Sequence, residues 1–255
     1  PLWSRGLGDV YKRQAMPVMA AYTGRVYVDK NKNGVFDPGE KTWAGIKVSD
    51  GLNVVETAAD GSFTLPGHER ERFIFITTPS GYKTFNRHYH KIEEKQSGYD
   101  FGLMPYSGRI RKDGSHKYIH IADTEIFNTE NHEDWVNNVR DYARNEQAAF
   151  IIHTGDICYE KGLKAHIKLM NTENMDCPVF YCIGNHDLVK GKYGEELFES
   201  IYGPVYYSFD AGNVHYIVTP MPGGDHAPGY TADDVCRWLK NDLAHIRPGT
   251  PVVVF

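Results

Sequence analysis

Three short polar clusters, each closing an apolar run, constrain this chain more than any other feature. They are Asp123-Thr124-Glu125, Gly155-Asp156 and Gly184-Asn185-His186-Asp187. The runs before them, Tyr118–Ala122, Ala149–His153 and Pro178–Ile183, read as buried strands, and helical stretches Glu133–Asn145 and Leu163–Asn174 lie between. Apolar strands alternating with helices of that length predict βαβ units and a buried parallel sheet. The intervals agree, with 33 residues from Asp123 to Asp156 and 29 from there to Asn185; each matches one βαβ repeat. Ligands bind at the carboxyl ends of the strands in such sheets, so the topology gathers these side chains at one rim.

The chemistry of the clusters is that of hard cations. Carboxylates with an amide and a histidine suit a pair of divalent ions ~3.5–4 Å apart that clamp a phosphate and hold a bridging hydroxide for in-line attack. Glycine before Asp156 and before Asn185 lets the backbone turn sharply and approach an ion closely. Ordinary strand-to-helix turns also favour Asp and Asn, but three in this order and spacing are a specific signal.

Further along, Gly194–Tyr202 reads as a helix, and Tyr206–Phe209 with Val214–Thr219 as an antiparallel hairpin about Ala211-Gly212-Asn213. Thr231 caps a final helix running to about His245, and Pro251–Phe255 is strand-like. The order D-x-x, G-D, G-N-H-D resembles the calcineurin-like metallophosphoesterases, and the resemblance covers residues 117–255. It extends to Tyr206–His215 and to Trp238-Leu239-Lys240-Asn241-Asp242-Leu243. It implies an αββα sandwich with a dinuclear metal centre. By that resemblance Asp123 binds the first metal, Asp156 bridges both and Asn185 binds the second. His186 contacts the phosphate and assists proton transfer to the leaving group, supported by Asp187.

Two departures stand out. The family places His, sometimes Gln, two residues after the first Asp, where this chain has Glu125. Of the metals the family uses (Mn, Fe, Zn or Mg), an added hard carboxylate favours Mn²⁺ or Mg²⁺ over Zn²⁺. By the resemblance, the family's three further histidine ligands are expected beyond Phe255; His215, His226 and His245 lie at no matching strand end and read as structural or exposed. His120 and His153 sit inside apolar strands and read as satisfied core histidines.

The first part of the chain has a different character. Gly24–Val28, Gly45–Ser49, Asn53–Thr57, Ser62–Leu65 and Arg72–Thr77 are short strands with turn punctuation, as in a small β-sandwich. Residues 80–107 read as an irregular, packed connection. The stretch from Asp29 to Glu40 places Asp29, Asn31, Asn33, Asp37 and Glu40 at positions 1, 3, 5, 9 and 12, with Gly34 at 6 and the Val35 carbonyl at 7. That is the spacing of an EF-hand-type calcium loop. The strand before it argues against a true EF-hand, and a plain turn would use similar residues. With Asp60–Pro66 it resembles the prealbumin-like β-domain that precedes some bacterial members of the family, and calcium-binding repeats of bacterial surface proteins.

The expected organisation is α+β with α/β. Residues 1–14, which resemble a translated sequencing adapter, are expected to be non-native. Residues 15–107 form the β-sandwich, and 108–255 the phosphoesterase domain, expected to continue past Phe255 and to be inactive as a fragment. The net charge of −5 carries no basic footprint, so nucleic acid is not the expected partner. No run of eighteen apolar residues is present to span a membrane. The four cysteines lack C-x-x-C spacing and read as buried thiols, with a disulfide open if the protein is exported.

The leading expectation is a metal-dependent hydrolase of a phosphomonoester or phosphodiester, acting on a phosphorylated small molecule or cell-envelope substrate. It is expected to be exported. A calcium-stabilised surface binding module with a decayed phosphoesterase domain is the alternative.

Overall fold

A computed structural model describes residues 21–68, 70–85, 87–92, 98–106, 109–189 and 191–255. The segment 1–14 expected to be non-native lies outside the described residues, as do 15–20 of the first domain and the 107/108 boundary.

The first domain is built from strands β1 (Tyr22–Val28), β2 (Lys47–Ser49), β3 (Val54–Glu56), β4 (Ser62–Leu65), β5 (Phe73–Ile76), β6 (Tyr82–Thr84), β7 (Tyr89–Lys91) and β8 (Phe101–Pro105). They form two four-stranded sheets, β4-β1-β8-β6 and β3-β2-β5-β7. In β4, Phe63 and Leu65 turn inward and Thr64 outward, the period-two alternation of a strand with one wet face. Val26, Leu65, Phe101 and Leu103 from one sheet meet Val48, Ile74 and Ile76 from the other in one core. The stretch 80–107 is therefore not a mere connection. It supplies β6, β7 and β8, and β8 pairs parallel with β1 in the middle of its sheet.

The second domain follows the predicted alternation. Strand β9 (Lys117–Ile121) leads to helix α1 (Glu133–Asn145), then β10 (Ala148–His153), α2 (Tyr159–Leu169), α3 (Thr172–Met175) and β11 (Val179–Tyr181). All three strands are parallel, in the order β11-β10-β9. The single helix expected over Leu163–Asn174 starts earlier and breaks at Met170. There the backbone becomes extended, and the Asn171 side chain accepts from the Asn174 N–H to cap α3. After α4 (Glu196–Tyr202), the hairpin β12 (Tyr207–Ala211) and β13 (Val214–Val218) forms as expected. Helix α5 (Ala232–Ala244) begins at the Thr231–Asp234 capping box, and β14 (Val252–Val254) joins β13 in parallel.

The two three-stranded sheets share one core. Phe180 stacks on Phe209 at 3.7 Å between centroids, Phe209 on Tyr216 at 5.1 Å, and Phe150 meets Tyr216 edge-on at 5.0 Å. Val136 and Ala143 of α1 cover the outer face of β10 and β11 with Met170 and Met175. Among the described residues no helix is long and apolar enough to cross a membrane. Cys158, Cys177 and Cys182 are buried free thiols, whereas Cys236 is exposed, contrary to the expectation of burial.

The domains are joined along β5. Its sequence, Phe-Ile-Phe-Ile, is buried at every position because its two faces serve two cores. Ile74 and Ile76 fill the sandwich, while Phe73 and Phe75 enter the core of the second domain, where Phe75 meets Trp238 of α5. Just beyond β5, the Thr78 carbonyl accepts from the Asp210 N–H of β12 at 2.9 Å. Two polar clusters complete the seam. Arg72 bridges Glu195 and Glu199 at 2.9 Å each. His215, wholly buried, sits between Asp210 (Nδ1, 2.6 Å) and Asp242 (Nε2, 2.8 Å). Lys47 of the first domain lies 3.4 Å from Asp210, and Thr77 hydrogen-bonds Ser208, which donates to Asp242.

Burial opposes charge on His215, but the hydrogen bonds to Asp210 and Asp242 outweigh it and the net shift is upward. A raised folded pKa stabilises fully below the unfolded value of ~6.5, and that contribution is lost as pH climbs through the folded value. Urea midpoints measured between pH 6 and 9 should fall more steeply in the native protein than in His215→Gln. Equal slopes would show that the imidazole carries no charge in the fold. Arg72→Ala, which leaves the buried Glu195 unpaired, should cost about 3 kcal/mol in denaturant unfolding.

Candidate metal centre

The rim is assembled from three turns, and the backbones of the first two are strained at or beside the candidate residues. Asp123 (φ 54°), Glu125 (φ 44°), Asp156 (φ 52°), Cys158 (φ 92°) and Tyr159 (φ 53°) all occupy positive φ without being glycine. Such conformations cost free energy and persist where the surroundings over-determine them, which concentrates them at functional sites. Here the surroundings are hydrogen bonds between turns. The Asp123 N–H donates to the Gly155 carbonyl at 3.1 Å. His153, at the end of β10, holds both turns, since its Nδ1 accepts from the Gly155 N–H (3.2 Å) and its Nε2 lies 3.0 Å from the Thr124 hydroxyl. Burial pushes His153 down to about 4, so it is neutral at physiological pH and one nitrogen is free to accept. It is the satisfied core histidine the sequence predicts. His120 is not, because its ring is exposed and its Nε2 bonds the Thr154 hydroxyl at 2.8 Å.

The second and third turns touch through glycine. A Cβ on Gly155 would collide with the Gly184 backbone, and one on Gly184 with the Asp156 carboxylate. That contact brings Asp156 beside the third cluster, where its Oδ1 accepts from the His186 N–H at 3.1 Å. Asp187 is wholly buried, and its oxygens accept from the Cys158 and Gly184 N–H groups at 2.9 Å each. Its carboxylate thus pins the 3-10 turn Asn185–Asp187 rather than bonding the His186 ring. Burial raises its pKa, with the backbone donors pulling the other way.

The ring of His186 has partners that the sequence motifs do not name. Its Nδ1 lies 3.1 Å from Asp225 Oδ2 and 3.4 Å from the Tyr159 hydroxyl. The Asp225 hydrogen bond is the main cause of an upward shift of its pKa, partly offset by desolvation. The one signal for this loop in the sequence is the pair Gly223-Gly224: a Cβ on Gly224 would strike the Asn185 backbone. His226 is exposed, and His245 bonds Glu56 and the Val54 carbonyl across the domain seam, away from the rim.

Asp123 and Glu125 are exposed, and Asp156 and Asn185 half-buried. The candidate set, three carboxylates and an amide oxygen, fits hard divalent cations, and glycine at 155 and 184 is what lets the second and third turns approach so closely. Among the described residues, however, no three His, Cys, Asp or Glu side chains converge as a metal site. What the structure brings together is three adjacent turns bearing the donors.

In the first domain, the loop after β1 folds inward on Asp29, which is buried and accepts from the Gly34 (2.8 Å) and Asn33 (3.2 Å) N–H groups. Asn31 and Asn33 both donate to Asp37 Oδ2 at 2.7 Å, and Glu40 accepts from the Lys30 and Asp37 N–H groups. The Val35 side chain points to solvent. The side chains of positions 1, 3, 5, 9 and 12 thus bond within one closed loop, with the amide nitrogens of Asn31 and Asn33 facing Asp37 and their oxygens taken by backbone N–H groups of the loop.

Two family models match the chain. Residues 30–106 match the N terminal of calcineurin-like phosphoesterase, and residues 116–247 match calcineurin-like phosphoesterase. A search of curated proteins gave no match. The second match spans more than half of the chain and contains all three turns, and on this ground the chain belongs to the calcineurin-like phosphoesterase family.

Proposed function

We propose that the protein hydrolyses a phosphomonoester or phosphodiester at a pair of divalent cations seated on the three turns. The observation that supports this best is the glycine contact, which sets Asp156 between the first cluster and the third. Asp123 and Glu125 would hold the first ion, Asn185 the second, and Asp156 would bridge them. When bound, the ions supply Lewis-acid stabilisation of phosphoryl charge and lower the pKa of an attacking water. His186, with Nδ1 engaged, offers Nε2 to the phosphate and to the leaving oxygen as general acid. Asp187 keeps the turn that presents both Asn185 and His186. Glu125 places a third carboxylate in the set, which favours Mn²⁺ or Mg²⁺ over Zn²⁺. The closed Asp29–Glu40 loop supports a structural calcium ion, and such loops suit the millimolar calcium outside the cell and hence an exported protein.

The full-length protein, assayed with p-nitrophenyl phosphate and its bis-ester under Mn²⁺, Mg²⁺ and Zn²⁺, should turn over at least one ester. No turnover with any pairing would sink the reading. Asp156→Asn should lower kcat/KM by more than ~100-fold, beyond the cost of losing an outer partner. Glu125→His should move the preferred metal toward Zn²⁺, and unaltered metal content and activity would remove Glu125 from the site. Calcium at 10 mM should stabilise the protein by about 1.4 kcal/mol if Kd is ~1 mM. The rise in melting temperature should vanish in Asp37→Asn.

A further inference from the structure

The loop after β13 reaches the site from a part of the chain that carries no family motif. The Gly224 backbone lies against Asn185, and the Asp225 N–H donates to the Asn185 carbonyl at 3.2 Å. From that anchor the Asp225 carboxylate meets His186 Nδ1 at 3.1 Å. The far end of the loop is tied as firmly. The Gly229 N–H donates to the wholly buried Glu195 carboxylate at 2.9 Å, and Arg72 of the first domain holds Glu195. Between these points the Gly194 N–H donates to the Ala227 carbonyl at 2.8 Å, and the Tyr230 hydroxyl closes the base of the loop on the Met221 carbonyl at 2.6 Å. Asp225 is therefore placed by bonds on both sides, one set reaching across the domain seam.

We propose that Asp225 is a positioning residue for His186, fixing the rotation and tautomer of the imidazole so that Nε2 faces the reacting phosphate. A carboxylate on one ring nitrogen sets which face the other presents, as second partners of catalytic and metal-bound histidines do. The proposal rests on the reading of His186 as the proton donor to the leaving group. Tyr159, whose hydroxyl lies 3.4 Å from the same Nδ1, is the alternative partner that the test must separate.

The experiment compares p-nitrophenyl phosphate, whose leaving group departs without a proton, with phenyl phosphate, which needs one, on the full-length protein with Mn²⁺. Asp225→Ala should lower kcat for phenyl phosphate about tenfold more than for p-nitrophenyl phosphate, with KM little changed, and Asp225→Glu should recover part of the loss. Combined with His186→Ala it should add nothing to the His186→Ala defect. Tyr159→Phe should leave the ratio of the two substrates as it is. In metal-free protein labelled with ¹⁵N-histidine, the His186 Nδ1 resonance should move on Asp225→Asn. Equal losses on both esters, additivity with His186→Ala, or an unmoved resonance would each overturn the proposal. A wild-type protein that turns over neither of these monoesters nor bis-p-nitrophenyl phosphate would instead overturn the phosphoesterase reading, and the resonance would still decide whether Asp225 holds the ring.

Discussion

Everything at the rim depends on two backbones meeting where no side chain fits. Gly155 and Gly184 end turns on neighbouring strands, and their contact sets the separation of Asp156 from Asn185 and His186. Interiors are close-packed, so a single methyl at either position would push the turns apart. The strain at Asp123, Glu125, Asp156, Cys158 and Tyr159 follows from the same closeness. These residues bend out of the usual φ range because Asp123, His153 and Asp187 bind each turn to the next. The donors are presented by a rigid network of N–H groups, which is how a site keeps its geometry before a ligand arrives.

Much of this was legible in the sequence because it is local. Helix Glu133–Asn145, the hairpin about Gly212 and the Thr231 cap are written in periodicity and capping residues. The three turns are legible because a βαβ unit has a nearly fixed length. What was not legible is carried by contacts between distant residues. The strands of 80–107 are three to five residues long and interrupted by turns, too short for a period to show. His215 is held by Asp242 of α5 as well as by its cross-strand neighbour Asp210, and Glu195 by Arg72, more than a hundred residues away. Asp225 has no local signature beyond its glycines, and its role is visible only once Gly224 is seen against Asn185.

The placement of Asp187 shows how motif and mechanism can differ. Its position after His186 suggests a partner for the imidazole, but an adjacent residue in a tight turn points its side chain away. Asp187 turns inward to two backbone N–H groups, while the imidazole turns outward to a different loop. The motif specifies the turn, and a separate loop supplies the partner of the ring.

The two-faced strand β5 has a consequence for how the protein is made. Synthesis proceeds from the N-terminus, and domains fold as they emerge. The sandwich can close as soon as β8 is complete, yet Phe73 and Phe75 on its outer face then have no cover. Their partners, among them Trp238, are translated much later. A nascent chain therefore carries an exposed aromatic stripe until α5 has been made, and that interval is when it is most open to misassociation and most in need of a chaperone.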